Sequence, residues 1–280
     1  MSNENEAILL EKRGKIAYIT FNRPEVLNAF RPIDYYLLDD LVNDCDNDPE
    51  IRAIIFTGKG RAWSVGDDVA VAVSGEQHEK WVAQDPVQDL MWKEKNLELA
   101  MSRQLIATQK TCLTLLNSGK VSIAAVNGIC YIAEYLYAMD FVVAAEHATF
   151  AQGDIKIGIC PIGSSTQLAP RVLGRRRATE LLLNPELIPA SEAYRLGLVN
   201  KVVPAEQLMK EAETIANRSA GYSASAIKLT KMLMTKAQDN LSLQEGLEQE
   251  VLMCSLSLQS GDYKRYAEEF FSKKEKKTEQ

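Results

Sequence analysis

The chain has 280 residues, a formal charge of −6 and 46% hydrophobic residues, enough to bury one large core. The acidic balance gives no electrostatic reason to bind nucleic acid. The five cysteines are odd in number and scattered, which fits neither a disulfide framework nor a zinc site. The N-terminus shows no apolar leader after a basic start, and no apolar run reaches membrane-spanning length, so the expected location is the cytoplasm, with no membrane partner.

Residues 16–21 alternate and predict a strand that stops at Asn22-Arg23-Pro24. Residues 33–45 follow at helical spacing, with Ile33, Leu37, Leu38 and Leu41 on one face, and Asn47-Asp48-Pro49 ends them. Residues 51–57, IRAIIFT, read as a buried strand closed by Gly58 and Gly60. The small polar loop AWSVGDDV comes next, with Gly66 supplying a sharp turn. Residues 74–119 are mostly polar and helical in character, and their Trp81 and Trp92 read as packing residues.

Residues 121–126 and 141–145 are predicted strands that flank an apolar segment holding one acid, Glu134. A second acid, Asp154, follows between glycines in QGDIKIG. An acid in apolar surroundings is costly unless it is paired, solvated or used. Glu134 is therefore either a satisfied structural acid or a catalytic one. Asp154 either caps a turn or joins in catalysis. Tyr131, Tyr135 and Tyr137 lie close by and read first as packing residues with satisfied hydroxyls. His147 sits in a polar turn and His78 in a polar stretch, so neither supports a Ser-His-Asp triad, and no metal site is expected. The Arg175-Arg176-Arg177 triplet reads as a solvated helix start.

Strands alternate with helices to about residue 200, which predicts an α/β core with right-handed crossovers. From Pro204 onward only helices are expected, over 205–220, 225–238, 242–257 and 262–272, before a charged tail. Three loops, NRPEVLNAF, GKGRAWSVGDDV and NGICYIAE, each follow a strand and converge on one end of a sheet.

Five stretches in order, NRPEVLNA, AWSVGDDV, IAAVNG, FVVAAEHATFAQGDIKIGICP and VLGRRRATELLL…IPASEAYRLGLVNKVVP, resemble the crotonase superfamily of enoyl-CoA hydratases and isomerases. The resemblance covers residues 7–205 and, more loosely, the rest. It implies an α/β, crotonase-like spiral of ββα repeats over 1–204 with a helical C-terminal trimerisation region over 205–280. It also implies a homo-oligomer, a trimer or hexamer. The ligand would be an acyl-CoA thioester, so coenzyme A arrives as part of the substrate and no cofactor is permanently bound. The backbone N–H groups of Asp67 and Tyr131 would form an oxyanion hole for an enolate. Glu134 and Asp154 would divide acid and base duty, and Val26, Leu27, Gly66, Asp68 and Val69 would border the substrate and its nucleotide.

The chain departs from the family pattern in three places. Cys130-Tyr131-Ile132-Ala133 stands where glycines are common, and the segment from Gly128 to Glu134 is about two residues shorter. Asp154, after Gly153, stands where proline and glutamate are usual, which shortens the reach by about 1–1.5 Å. The C-terminal run that helps hold coenzyme A appears as AEEFFSKK. Hydration of an enoyl-CoA is the leading expectation, with double-bond isomerisation a close variant. A C–C bond hydrolase acting on a β-diketone or cyclic ketone, and a non-catalytic scaffold, are the alternatives.

Overall fold

A computed structural model describes residues 6–68, 97–161, 163–239, 242–259, 262–266 and 268. Two sheets organise them. The larger has six strands in the order β1-β2-β3-β5-β7-β10: Ile8–Arg13, Ile16–Phe21, Ala53–Gly58, Val121–Val126, Phe141–Ala145 and Lys201–Val203. Only the β1–β2 pair is antiparallel. The smaller sheet has four short strands in the order β4-β6-β8-β9: Ala62–Ser64, Ile129–Cys130, Thr149–Phe150 and Ile188–Pro189.

The large sheet forms because its central strands are apolar on both faces, as a covered parallel sheet requires. Ala53, Ile54, Ile55 and Phe56 of β3, and every residue of β5, are buried. One face packs on helix α1 (Pro32–Asn47) and the small sheet through Ile19, Phe21, Ile54, Phe56 and Trp63. The other face packs on α7 (Leu208–Ala220) through Ile16, Ile55, Ile123 and Val143. Ala212 and Ala216, one turn apart on α7, let that helix sit close to the strands. Each large side chain buried this way contributes roughly 1.5–3 kcal/mol.

Helix α1 starts where expected, with Pro32 in its first turn and the Asp34 carboxylate accepting from the Arg31 amide at 2.8 Å. Its buried face is rotated from the sequence reading. The buried residues are Asp34, Tyr35, Leu38, Val42 and Cys45, whereas Ile33, Leu37 and Leu41 are half-buried. The cap explains the shift: Asp34 is drawn inward to serve the helix N-terminus, and Tyr35 follows it.

Between β5 and β6 the chain turns at Asn127-Gly128. The Asn127 side chain accepts from Gly58 N at 3.0 Å and donates to Gly60 O at 2.9 Å and Ala62 O at 3.3 Å. Gly128 is obligatory, since a Cβ there would stand 2.1 Å from the Arg61 carbonyl oxygen. These contacts hold the two sheets in register.

Among the described residues the other long helices are α2 (Leu97–Asn117), α8 (Ala224–Ala237) and α9 (Leu243–Gln259). Lys231 of α8 bonds the Asp140 carboxylate at 2.6 Å and the Lys120 carbonyl at 3.0 Å, tying the C-terminal helices to the sheet. His147 lies in an exposed turn, as expected, with its Nε2 3.0 Å from the Asn127 carbonyl. The arginine triplet opens a helix with Arg175 and Arg176 exposed and Arg177, half-buried, paired to Glu180. Val69, His78, Trp81, Trp92 and the C-terminal tail lie outside the described residues. Among the described residues no helix is long and apolar enough to cross a membrane.

Candidate active site

The small sheet delivers the site. Strand β4 runs into Gly66-Asp67-Asp68, β6 into Tyr131–Glu134, and β8 into Gln152–Asp154. Because the strands are parallel neighbours, their exits lie at one end.

The loop before α1 braces the first exit. Leu27 and Asn28 both adopt left-handed backbone conformations, φ 56° and 57°. Asn28 is buried and holds that strained turn: its Oδ1 accepts from Arg23 N at 2.8 Å, and its Nδ2 donates to Ala62 O at 2.8 Å and Lys59 O at 3.0 Å. The Ser64 hydroxyl donates to Asn28 O at 2.7 Å. Phe30 then pairs with the Asp67 segment, its amide donating to Gly66 O at 2.7 Å and its carbonyl accepting from Asp68 N at 2.9 Å. Gly66, at φ 88°, packs against Ile132, to which a Cβ would come within 3.3 Å. The Asp67 carboxylate accepts from the buried Tyr35 hydroxyl at 2.7 Å, and Asp68 pairs with Arg23 at 3.1 Å.

Glu134 sits in the first turn of α3 (Ala133–Ala138), a helix whose residues are all buried. It is 8% exposed. Burial holds its carboxyl well above the ordinary range, and the charges of Asp154 and Asp67 push the same way. Its own backbone amide and the Gln152 side chain act against them. Asp154, half-buried, opens a short 3-10 turn (Asp154–Ile157) closed by Gly158 at φ 79°. Its carboxyl is also raised, first by burial and less by Asp67, and again Gln152 acts against the shift. The two acids are therefore brought into one electrostatic cluster.

Gln152 links them. It is 2% exposed, and its Nε2 donates to Ser165 Oγ at 2.7 Å and Glu134 Oε2 at 3.3 Å. Its Oε1 is buried without a partner. A half-turn of the amide would present that acceptor to a protonated Glu134. Sequence reasoning passed over Gln152 and the Tyr35–Asp67 pair. The only signal for Gln152 was a polar residue two places before Asp154, and Tyr35 was hidden by the misread face of α1.

One expectation is corrected. The Tyr131 amide is already committed, donating to the Ser64 carbonyl at 2.8 Å as an extension of the β4–β6 ladder. The shortened loop is the reason: with fewer residues between Gly128 and the helix, Tyr131 stays in strand register. Tyr131 itself is half-buried.

Val26 is exposed and Leu27 half-buried on the rim. Beside them lies a polar cavity of about 520 Å³ lined by Asn22, Arg23, Glu25, Arg31 and Lys59. An apolar cavity of about 660 Å³ opens next to the Asp154 turn, between α4 (Ser165–Leu173) and α5 (Arg175–Leu183), lined by Ile155, Ile159, Cys160, Pro161, Pro170 and Leu182. Neither acid lines it. Among the described residues no His, Cys, Asp and Glu group is arranged to hold a metal ion.

Comparison with known proteins identifies the family. The model of the enoyl-CoA hydratase/isomerase family matches residues 11–102 and 105–280. The chain is 33% identical over 230 residues to crotonyl-CoA hydratase of Syntrophomonas wolfei, covering 81% of this chain and 80% of that one. It is 32% identical to the short-chain-enoyl-CoA hydratase of Clostridium acetobutylicum, covering 82% and 81%. A crystal structure of an enoyl-CoA hydratase subunit from Geobacillus kaustophilus superimposes with a TM-score of 0.80 at 30% identity, covering 97% of each chain. The α/β fold and these matches together show that the chain belongs to the enoyl-CoA hydratase/isomerase family of the crotonase superfamily.

Proposed function

We propose that the protein adds water reversibly across the α,β double bond of an acyl-CoA thioester. The observation that carries this reading is the acid pair, Glu134 buried and Asp154 half-exposed, joined through Gln152. Hydration needs one group to take a proton from water as its oxygen bonds to Cβ. It needs another to give a proton to Cα, and the two work best when their environments differ. Glu134, the deeper acid, holds its proton and supplies Cα. Asp154, nearer solvent, ionises first and activates the water. Regeneration moves one proton from Asp154 to Glu134, directly or through solvent, so each cycle adds one water to one enoyl thioester and leaves both acids as they began.

The enolate oxygen formed between these steps needs donors. The Phe30 pairing uses Gly66 O and Asp68 N, so the Asp67 amide is directed to the opposite side of that segment. With Tyr131 committed, the second donor falls to the residues just after it, Ile132 or Ala133. Coenzyme A enters as part of the substrate, with no resident cofactor. The cations of Arg23, Arg31 and Lys59 suit its phosphates, and Val26 and Leu27 stand on the rim beside them, where the nucleotide would lie. A homo-oligomer, trimer or hexamer, would cover the exposed Leu243, Leu247 and Val251, spaced one turn apart on α9. A cytoplasmic setting suits such an enzyme.

The relatives named above are hydratases, which favours hydration over the C–C hydrolase and scaffold readings. Glu134→Gln should lower kcat for crotonyl-CoA by about 10³-fold while the circular dichroism spectrum stays the same. An unchanged rate would sink the assignment.

A further inference from the structure

Two cavities of opposite character flank the acids. The polar one, with Arg23, Arg31 and Lys59, adjoins the β4 exit, where Arg23 pairs with Asp68 at 3.1 Å. The acids stand at the next two exits, Glu134 after β6 and Asp154 after β8. The apolar one, about 660 Å³ in volume, begins with Ile155, the residue after Asp154. From β4 through β6 to β8 the surface therefore runs from cations to acids to hydrocarbon.

The apolar cavity shares its wall with the acid site at two points. At Asp154-Ile155 the first residue acts on Glu134 and the second lines the cavity. At Ser165-Thr166 the first bonds Gln152 at 2.7 Å and the second lines the cavity. Consecutive Cα atoms are about 3.8 Å apart, so the hydrocarbon wall starts one residue from a reacting group. The volume is that of a small-molecule pocket. The mouth leaves Ile155 39% and Leu183 62% exposed, apolar area that an occupant would remove from water. A crotonyl group has a single carbon beyond Cβ and stops short of this space. A longer acyl thioester has the same order of polarity as the surface: phosphates, thioester, alkyl chain.

We propose that this cavity holds the distal hydrocarbon of the acyl group, so that medium- and long-chain enoyl thioesters are the preferred substrates and Ile155, Thr179 and Leu182 set the chain length. The proposal rests on the hydration reading above and adds to it the class of acyl group.

The test compares kcat/KM across trans-2-enoyl-CoA substrates from crotonyl to decenoyl. Each buried methylene should raise it by up to about fourfold until the cavity is full. A flat or falling series overturns the proposal. Thr179 is exposed on α5 and lines the cavity, so Thr179→Trp fills the space from its edge without entering the core. That variant should lose about 10- to 100-fold with decenoyl-CoA and stay within about twofold of the parent with crotonyl-CoA. Equal loss on both, or loss on neither, overturns the proposal. So does a changed oligomeric state in size-exclusion chromatography with the chain-length series unaltered, which would make the cavity an interface between copies.

A second readout needs no turnover. Cys160 is exposed and lines the cavity, and Cys254→Ser removes the other exposed thiol. In that background saturating dodecanoyl-CoA should slow alkylation of Cys160 by N-ethylmaleimide several-fold more than butyryl-CoA does. Equal protection by the two thioesters overturns the proposal. Selective protection in a protein that hydrates no enoyl-CoA overturns the hydratase reading and leaves this one standing. A protein that shows neither overturns both.

Discussion

The two sheets divide the labour of the molecule. The large sheet has strands of three to six residues, the central ones buried on both faces, and its side chains run through both core clusters. The small sheet has strands of two or three residues and little core of its own, yet three of its four strands end at the site. Its ladder is held by polar clamps, Asn28, Ser64 and Asn127, beside the buried Trp63 and Phe150. Stability is concentrated in one sheet and the alignment of reacting groups in the other.

That contrast is open to measurement. The largest expected effect is on the large sheet: Phe56→Ala, at a fully buried site, should cost about 3–5 kcal/mol in denaturant unfolding. The folded fraction should keep its kcat. A parallel collapse of kcat in folded protein would show that the division is false. Next, Asp154→Asn on the small-sheet side should lower kcat by about 10²-fold with an unfolding midpoint close to the parent's. A large shift in that midpoint would make Asp154 a structural cap instead.

The smallest effect sharpens the difference further. Glu134 titrates higher in the folded protein than its ordinary value of 4.5. The folded state therefore holds more protons than the unfolded state above that value, and stability falls as pH rises through the window. Glu134→Gln should flatten this slope, so melting curves of parent and variant should diverge upward from about pH 4.5 in the variant's favour. Parallel curves would mean that Glu134 is not desolvated.

The large sheet was legible because continuous runs such as IRAIIFT and VSIAAV have no other stable home than a covered strand. The predicted strands at 16–21, 121–126 and 141–145 match the observed ones residue for residue. Strands β6, β8 and β9 were not read, since two residues carry no periodicity. The site was half legible. Glu134 and Asp154 stood out as acids among apolar neighbours, and the structure places them in one cluster. The commitment of the Tyr131 amide depends on which residue of a shortened loop stays in register with Ser64, and a pairing partner distant in sequence decides that. Tyr35 escaped because a single capping bond turned its helix by one residue.

The Asn127-Gly128 turn has a consequence for the ageing of the protein. In a flexible peptide this dipeptide is the one quickest to lose its side-chain amide, because the following backbone nitrogen closes easily onto the side-chain carbon. Here the Asn127 amide is gripped at both ends, by Gly58 N on one side and by Gly60 O and Ala62 O on the other. Ring closure must wait until the small sheet opens. The slow release of ammonia from stored protein thus becomes a clock for that opening, ticking at the turn that feeds the strand whose far end carries the chemistry.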